Sequence, residues 1–243
     1  MFVTNKRVKK LIPAEILVDG SLIKVVDSFK LLGVTIDDKL NFNKYSRDLR
    51  LIVNKKLYSI QKLFYLCTAV KLQFFKSFIM PYFDYCLSLY IYFPKTTIQR
   101  INNCFNLCLF KLFKIKMNTN VIDFNNDLNK YGLSSFQHRI VNKVFTFAYN
   151  IINNPKAPTG LKQTFVNSKV RRLRKNNLEL RAVKTHYGEK TFSYFFVNLY
   201  NSFSQVDFHN EFKKIYSNFN SNIKNIFEKF VNIYPIFNIF YKN

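Results

Sequence analysis

The chain has 243 residues, 48% of them hydrophobic, so it can fill the core of one large domain or two small ones, which argues against global disorder. Lys and Arg number 38 against 14 Asp and Glu, which gives a formal charge of +24. A field of that sign attracts polyanions, so nucleic acid and anionic membrane surfaces are the first partners to consider.

Three short strands are predicted near the N-terminus. Residues Ile16 to Val26 are predicted to form a hairpin around Asp19-Gly20-Ser21, because Asp-Gly tolerates the positive φ values of a tight turn. A third strand is predicted from Phe29 to Ile36, and it ends at Asp37-Asp38. A sheet of about three strands seldom stands alone, so we expect a covering element upstream of it.

Helical periodicity follows the strands. Between Tyr45 and Phe64, apolar residues recur at spacings of three and four, which predicts an amphipathic helix with a basic outer face. Further helices are predicted from Thr68 to about Phe93, from Thr96 to about Lys114, from Ser134 to about Asn153, and in aromatic-rich segments after Thr191. The predicted fold class is therefore mainly α with a small N-terminal antiparallel β element (α+β).

Asp37 and Asp38 are the only adjacent acidic pair in the chain. Paired aspartates can hold divalent metals for phosphoryl transfer, but that chemistry needs carboxylates that converge from separate strands. The pair is better explained as a turn between a strand and a helix, where Asp is favoured. We therefore predict a structural role for both residues.

Cys104 and Cys108 lie four residues apart on a predicted helix, a spacing that could serve a metal site. No second cysteine pair follows and the histidines are scattered, so the two are interpreted as buried thiols. The sequence also lacks a Gly-rich phosphate loop, a G-x-S-x-G phrase and an H-E-x-x-H phrase. We expect no catalytic residue, no metal site and no cofactor in this chain.

The sequence also bears on localisation. Residues Met1 to Lys10 carry charges with no apolar segment behind them, so we expect no secretory signal. The nearest approach to a membrane span, Ser77 to Pro94, is interrupted by Pro81 and Asp84, so no membrane role is expected. Four cysteines are too few for a disulfide framework, which favours an intracellular location, nuclear or cytoplasmic.

Basic residues are densest in one run between positions 169 and 175. The run is Lys169, Arg171, Arg172, Arg174 and Lys175. Such a cluster favours phosphate contact through counterion release, and a nuclear import signal or a solvated loop are the alternatives. Lys56 is a separate case, because it falls within the apolar arc of the first predicted helix. Its side chain either extends along the apolar surface to water or reaches a phosphate across it.

A set of phrases in one order resembles a known family. The segment Phe29-Lys30-Leu31-Leu32-Gly33-Val34-Thr35-Ile36-Asp37-Asp38-Lys39-Leu40-Asn41-Phe42 is similar to the phrase F-x-x-L-G-V-x-I-D-x-x-L-x-F/W. That phrase follows the catalytic palm in reverse transcriptases of non-LTR (LINE-type, jockey-like) retrotransposons. The resemblance accounts for Asp37 without a metal.

Later phrases continue the resemblance to about Phe203. Pro81, Tyr82 and Tyr85 resemble the thumb phrase P-x-x-x-Y-G, although Cys86 stands where the family has Gly. The remaining matches are Gly132-Leu133-Ser134-Ser135 with Arg139, Ile151-Ile152-Asn153-Asn154, Arg181, Thr185, the segment Tyr187 to Tyr194, and Asn201-Ser202. The chain departs from the family again at Tyr90 and Tyr200, where Trp is usual, and at Ser204, where Pro is usual.

The resemblance implies a domain plan and a set of contact residues. Residues 1–38 resemble the last palm strands, 39–116 a thumb-like helical region, and 117–243 a post-thumb helical region with a basic loop at about 153–190. The residues that resemble a primer grip are Phe29, Leu31, Leu32 and Gly33. The expected nucleic-acid-binding residues are Arg47, Arg50, Lys55, Lys56, Lys62, Lys169, Arg171, Arg172, Arg174 and Lys175.

The function implied is that of a catalytically incomplete fragment of an RNA-directed DNA polymerase. In this family the polymerase aspartates lie in the palm and its Y-x-D-D loop, upstream of the phrases found here, so Mg²⁺ belongs to the complete polymerase only. The expected ligand is an RNA-DNA hybrid or duplex bound without sequence specificity, and an upstream palm and fingers region is the expected protein partner. The alternative is a stand-alone basic helical module that binds nucleic acid or a protein partner without enzymatic activity.

Overall fold

The computed structural model describes Met1 and residues 13–62, 65–116 and 121–162, together with residues 182, 183, 191, 194, 196 and 197. The chain divides into two compact units, Met1–Phe136 and Gln137–Asn243. The described part is mainly α-helical with two small antiparallel sheets of two strands each, which confirms the predicted fold class. The run from Lys169 to Lys175 lies outside the described residues.

Four strands precede the helices: β1 (Glu15–Val18), β2 (Ser21–Lys24), β3 (Ser28–Leu31) and β4 (Val34–Asp37). The α-helices are α1 (Asn43–Gln61), α2 (Thr68–Phe74), α3 (Met80–Asp84), α4 (Lys95–Phe113), α5 (Val121–Lys130), α6 (Phe136–Asn153) and α7 (Thr159–Lys162). A π-helical turn spans Phe75–Ile79 and a 3-10 helix spans Leu87–Tyr92. The helices predicted to begin near Tyr45, Thr96 and Ser134 are confirmed, whereas α5 was not predicted.

The first hairpin forms as its sequence predicts. β1 and β2 pair antiparallel around Asp19 and Gly20, whose φ values are +49° and +77°. The pairs Leu17↔Leu22 and Ile16↔Ile23 alternate along the strands, so both faces of this hairpin are apolar. Leu17 and Leu22 are 66% and 71% exposed, and little of the hairpin's apolar surface is buried within the described residues.

The predicted single strand from Phe29 to Ile36 is wrong. The segment is a second hairpin, in which Leu31 of β3 pairs with Val34 of β4 and the chain reverses at Leu32-Gly33. These two turn residues have φ values of +46° and +87°, the left-handed conformation that a two-residue hairpin turn requires and that Gly adopts readily. The β element is consequently two separate two-stranded sheets rather than one sheet of three strands.

Helix α1 buries one face against α4. Tyr45, Leu49, Val53, Leu57 and Ile60 are buried, as the apolar spacing predicts. Ile52, which shares the predicted apolar stripe, is 42% exposed. These buried positions all lie within the apolar face predicted for α1. The part of that face that packs is narrower than predicted, because Ile52 remains exposed.

The core of the first unit is built largely from aromatic rings. Phe83 packs edge-on against Phe105 with ring centroids 5.2 Å apart, and Phe136 lies 6.1 Å from Phe83. Phe75 joins the cluster at 6.0 Å from Phe105. Tilted and edge-on rings at these distances are favourable beyond the area they bury. Much of the aromatic content thus serves packing.

The predicted helix from Thr68 to about Phe93 is interrupted twice. Pro81 has no backbone N–H, and the turn before it widens so that Met80 N–H bonds to the Phe75 carbonyl, five residues back. The α-helix then ends at Asp84, and the left-handed backbone of Cys86, with φ +50°, redirects the chain. In the described part of the chain, no helix combines the length and apolar character needed to cross a membrane.

Two substitutions test whether the second hairpin packs on the core while the first hairpin does not. Val34 in β4 is only 4% exposed, so Val34→Ala is expected to lower the free energy of unfolding by about 2 kcal/mol. Leu22→Thr on exposed β2 is expected to change it by less than about 0.5 kcal/mol while raising solubility. Urea denaturation followed by circular dichroism measures both. Equal losses would show that β1 and β2 pack on the core.

Candidate nucleic-acid interface

A cleft of about 500 Å³ opens between the second hairpin, helix α1 and the segment from Ser77 to Tyr85. The hairpin wall consists of Lys30, Gly33 and Thr35. The wall from α1 consists of Tyr45, Asp48, Leu49, Ile52 and Lys56. The third wall consists of Ser77, Phe78, Pro81, Tyr82 and Tyr85. The cleft thus joins three segments that are distant in sequence.

Tyr85 fastens the hairpin to the helical body. Its hydroxyl donates a hydrogen bond to the carbonyl oxygen of Leu32, at the hairpin turn. Gly33 lies directly beneath the same ring, because a Cβ at Gly33 would come within 3.3 Å of the Tyr85 ring and hydroxyl. Gly is therefore favoured at position 33 for two reasons, the positive φ and the close approach of the Tyr85 ring.

Lys56 lies at the edge of the cleft with its ammonium over aromatic rings. Its Nζ is 5.3 Å from the centroid of Tyr82 and 5.8 Å from that of Phe78. These distances fit cation–π contacts, which hold a cation without neutralising it. The two contacts place the ammonium of Lys56 at the cleft, against the aromatic side chains of its third wall.

Two tyrosines form a neutral polar pair beneath the cleft. The hydroxyls of Tyr45 and Tyr90 are 3.5 Å apart. Burial raises the pKa of Tyr45 and holds the pKa of Tyr90 well above its usual range. Both hydroxyls therefore stay protonated at neutral pH, so this side of the cleft contributes dipoles and no charge.

Asp37 organises the loop that leads into α1. Its Oδ1 accepts hydrogen bonds from the backbone N–H groups of Lys39 and Asn41 at 3.1 and 3.0 Å, and its Oδ2 accepts one from Phe42 at 2.6 Å. The carboxylate thus holds the turn that connects β4 to α1. This confirms the interpretation of Asp37 as a structural residue.

The outward face of α1 carries the basic residues expected to meet nucleic acid. Arg47, Lys55 and Lys62 are exposed. Lys62 Nζ is 4.8 Å from the ring centroid of Tyr58. Arg50 differs, because it is half-buried and its Nε donates to the Ser46 carbonyl oxygen at 3.4 Å. Three of the five basic residues expected in this region are therefore exposed.

The residues that resemble a primer grip divide between two faces of the hairpin. Gly33 lines the cleft, whereas Phe29 and Leu31 alternate with Lys30 and therefore lie on the opposite face, 56% and 51% exposed. Leu32 at the turn is 82% exposed. The alternation of apolar residues around Lys30 in the sequence indicates this division between two faces. Tyr82 and Phe78, four residues apart in a helical segment, were missed as partners of Lys56.

The cysteine pair lies in the core. Cys104 and Cys108 are 6% and 0% exposed, which confirms them as buried thiols. The hydrogen bond between the two thiols and their burial raise the pKa of Cys108, so it stays a thiol. Neither sulfur belongs to the cleft.

No family model, no curated protein and no solved structure matches this chain. The contacts of the cleft and of helix α1 therefore carry the functional argument.

A charge-matched pair of substitutions tests the role of Asp37. Asp37→Asn weakens the acceptor for three backbone N–H groups, so the free energy of unfolding is expected to fall by about 1–3 kcal/mol. Glu15→Gln, on an exposed strand, removes the same charge and is expected to change it by less than about 0.5 kcal/mol. Thermal and urea denaturation of both variants provide the comparison. An unchanged free energy of unfolding for Asp37→Asn would contradict the role of Asp37 in holding this loop.

Proposed function

We propose that the chain is a catalytically incomplete part of a non-LTR retrotransposon reverse transcriptase, comprising the end of the palm, the thumb and the post-thumb region. Its task is to bind template-primer nucleic acid through the basic face of α1 and the second hairpin. The ligand class is an RNA-DNA hybrid or duplex, bound by charge and shape. Mg²⁺ and the polymerase aspartates belong to the complete enzyme.

One contact carries this proposal. The phrase around Gly33 and the phrase around Tyr85 each resemble the family, and they meet through the Tyr85 hydroxyl and the Leu32 carbonyl. A second observation agrees with it. Cys86, which replaces the family's Gly, has a left-handed backbone with φ +50°, the conformation for which Gly is the usual residue.

Charge supports the same ligand class. Between Asn43 and Gln61, α1 carries five Lys or Arg and one Asp. That Asp is close to Arg47, whose Nε lies 3.8 Å from Asp48 Oδ1, with both side chains well exposed. An exposed pair at this distance is worth little, so it leaves Arg47 available to a phosphate.

A stand-alone nucleic-acid-binding module is the second candidate. The aromatic cluster of Phe75, Phe83, Phe105 and Phe136 is buried within the first unit itself, which favours a body that folds on its own. The two candidates differ in their ligand. A thumb packs along a duplex behind an active site and favours a recessed template-primer end, whereas a general module binds all duplexes alike.

Binding should follow counterion release. Fluorescence anisotropy with a recessed RNA-DNA hybrid, between about 50 and 200 mM salt, is expected to give a log-log slope of about −0.9 per phosphate neutralised. Reversing Arg47, Lys55 and Lys62 to Glu is expected to make that slope shallower by about 2 to 3.

The matched control reverses Lys111, Lys114 and Lys116, three exposed lysines at the end of α4 and just after it. It is expected to leave the preference for the recessed end unchanged. An equal effect of both triple variants on every ligand would favour the general module. A salt slope that neither variant changes would contradict a role for α1 in binding. Reversing the charges of the basic residues between positions 169 and 175 would then show whether that run supplies the phosphate contacts.

Residues 1–243 alone are expected not to polymerise. Phosphoryl transfer requires metal ions held by convergent carboxylates, and both carboxylate oxygens of Asp37 accept hydrogen bonds from the loop backbone. Primer extension on poly(rA)-oligo(dT) with Mg²⁺ or Mn²⁺ should remain at background. Extension that is lost in Asp37→Asn while the fold is retained would refute both the fragment proposal and the structural role of Asp37.

A further inference from the structure

We propose that the cleft between the second hairpin, α1 and the Ser77–Tyr85 segment binds one unpaired nucleotide of a single strand. Its base lies against Tyr82 and Phe78, and its phosphate lies at Lys56. The inference rests on the proposed function, because it assigns a distinct ligand element to one site of the nucleic-acid-binding surface. The basic face of α1 binds backbone phosphates, whereas the cleft recognises an exposed base.

The ammonium group of Lys56 is available to bind an anion. Lys56 is half-buried, and the ion pairs among the described residues, Arg47–Asp48 and Lys130–Asp127, do not involve it. Partial burial removes part of the hydration of a charged group, and a bound phosphate compensates for that loss better than aromatic rings alone. Lys30 adds a second positive charge on the opposite wall, against the single negative charge of Asp48.

Several apolar side chains that line the cleft are exposed to solvent. Phe78 is 53% exposed, Ile52 is 42% exposed, and Tyr82 is partly exposed beside them. Every nucleobase has a π-face, so stacking on such rings is favourable and tolerant of sequence. An aromatic surface and an unneutralised ammonium in one cleft match a ligand that has both a planar ring and an anionic group.

The size and the polar groups of the cleft further restrict the class of ligand that fits it. A volume of about 500 Å³ falls within the usual range of small-ligand sites. Thr35, Ser77 and Asp48 provide hydroxyl and carboxylate groups for the edge of a base or for a sugar. A paired base presents only its edges in the grooves, so the face of a base can enter this cleft only when it is unpaired.

A fluorescence experiment tests the cleft directly. The chain contains no Trp, so Tyr82→Trp keeps a ring in place and creates a unique reporter. Short oligo(dA) is expected to quench this Trp at saturation, whereas a blunt duplex bound at the same salt concentration is expected not to. Inorganic phosphate alone should not quench, and if it reproduces the oligo(dA) signal, the site is a simple anion site and the inference is overturned.

Variants of the native chain give the affinity test. Tyr82→Leu is expected to weaken oligo(dA) binding about fivefold or more, because base stacking on an aromatic ring is lost. Tyr82→Phe, which keeps the ring, is expected to bind like the native chain. Lys56→Gln should make the single-strand salt slope shallower by about 0.7 and weaken oligo(dA) binding by a larger factor than blunt-duplex binding. Lys55→Gln, which removes the same charge one residue away on the exposed side, should weaken both ligands by the same factor.

The outcomes separate the two proposals. Duplex binding with the expected salt slope but no Trp quenching, or equal effects of Lys56→Gln and Lys55→Gln, would overturn the cleft assignment and leave the proposed function standing. Absence of any salt-dependent binding would overturn both. Circular dichroism and thermal unfolding of each variant identify a folding defect, and the Tyr82→Trp and Tyr82→Phe chains keep the test decisive if Tyr82→Leu is unfolded.

Discussion

The hydrogen bond from the Tyr85 hydroxyl to the Leu32 carbonyl links a hairpin to a helical body that it otherwise meets at few points. Two-stranded hairpins are marginally stable alone, so β3 and β4 need an external anchor. Tyr85 supplies one at the turn, where Val34 is also buried, and the hydrogen bonds from Asp37 to the loop before α1 supply another at the opposite end. With both ends held, the hairpin can serve as one wall of the cleft.

The same constraint explains the local backbone. A Cβ at position 33 would lie only 3.3 Å from the Tyr85 ring, a tight contact that Gly avoids. Tyr85 itself lies just after the end of α3, between the π-helical turn that precedes Pro81 and the left-handed residue Cys86. Each irregular backbone conformation in this part of the chain therefore has a consequence at the cleft.

Aromatic residues serve two purposes in the first unit. Phe83 and Phe105 are fully buried and hold the helices together, whereas Phe78 and Tyr82 face the cleft beside Lys56. The sequence alone does not distinguish the buried rings from the rings of the cleft, because both groups are aromatic and follow helical spacing. Exposure and the proximity of a cation do distinguish them, and they give the cleft a chemistry suited to a base and a phosphate.

The sequence by itself determined the elements whose signals are local. Apolar spacing located α1, α4 and α6, Asp-Gly located the first hairpin turn, and the position of Asp37 before a helix predicted its structural role. Tertiary structure alone decided that Phe29 to Ile36 is a hairpin, because the turn at Leu32-Gly33 is held by a tyrosine 53 residues away. It also decided that Lys56 meets Phe78 and Tyr82, since contacts between distant segments depend on packing that no local pattern encodes.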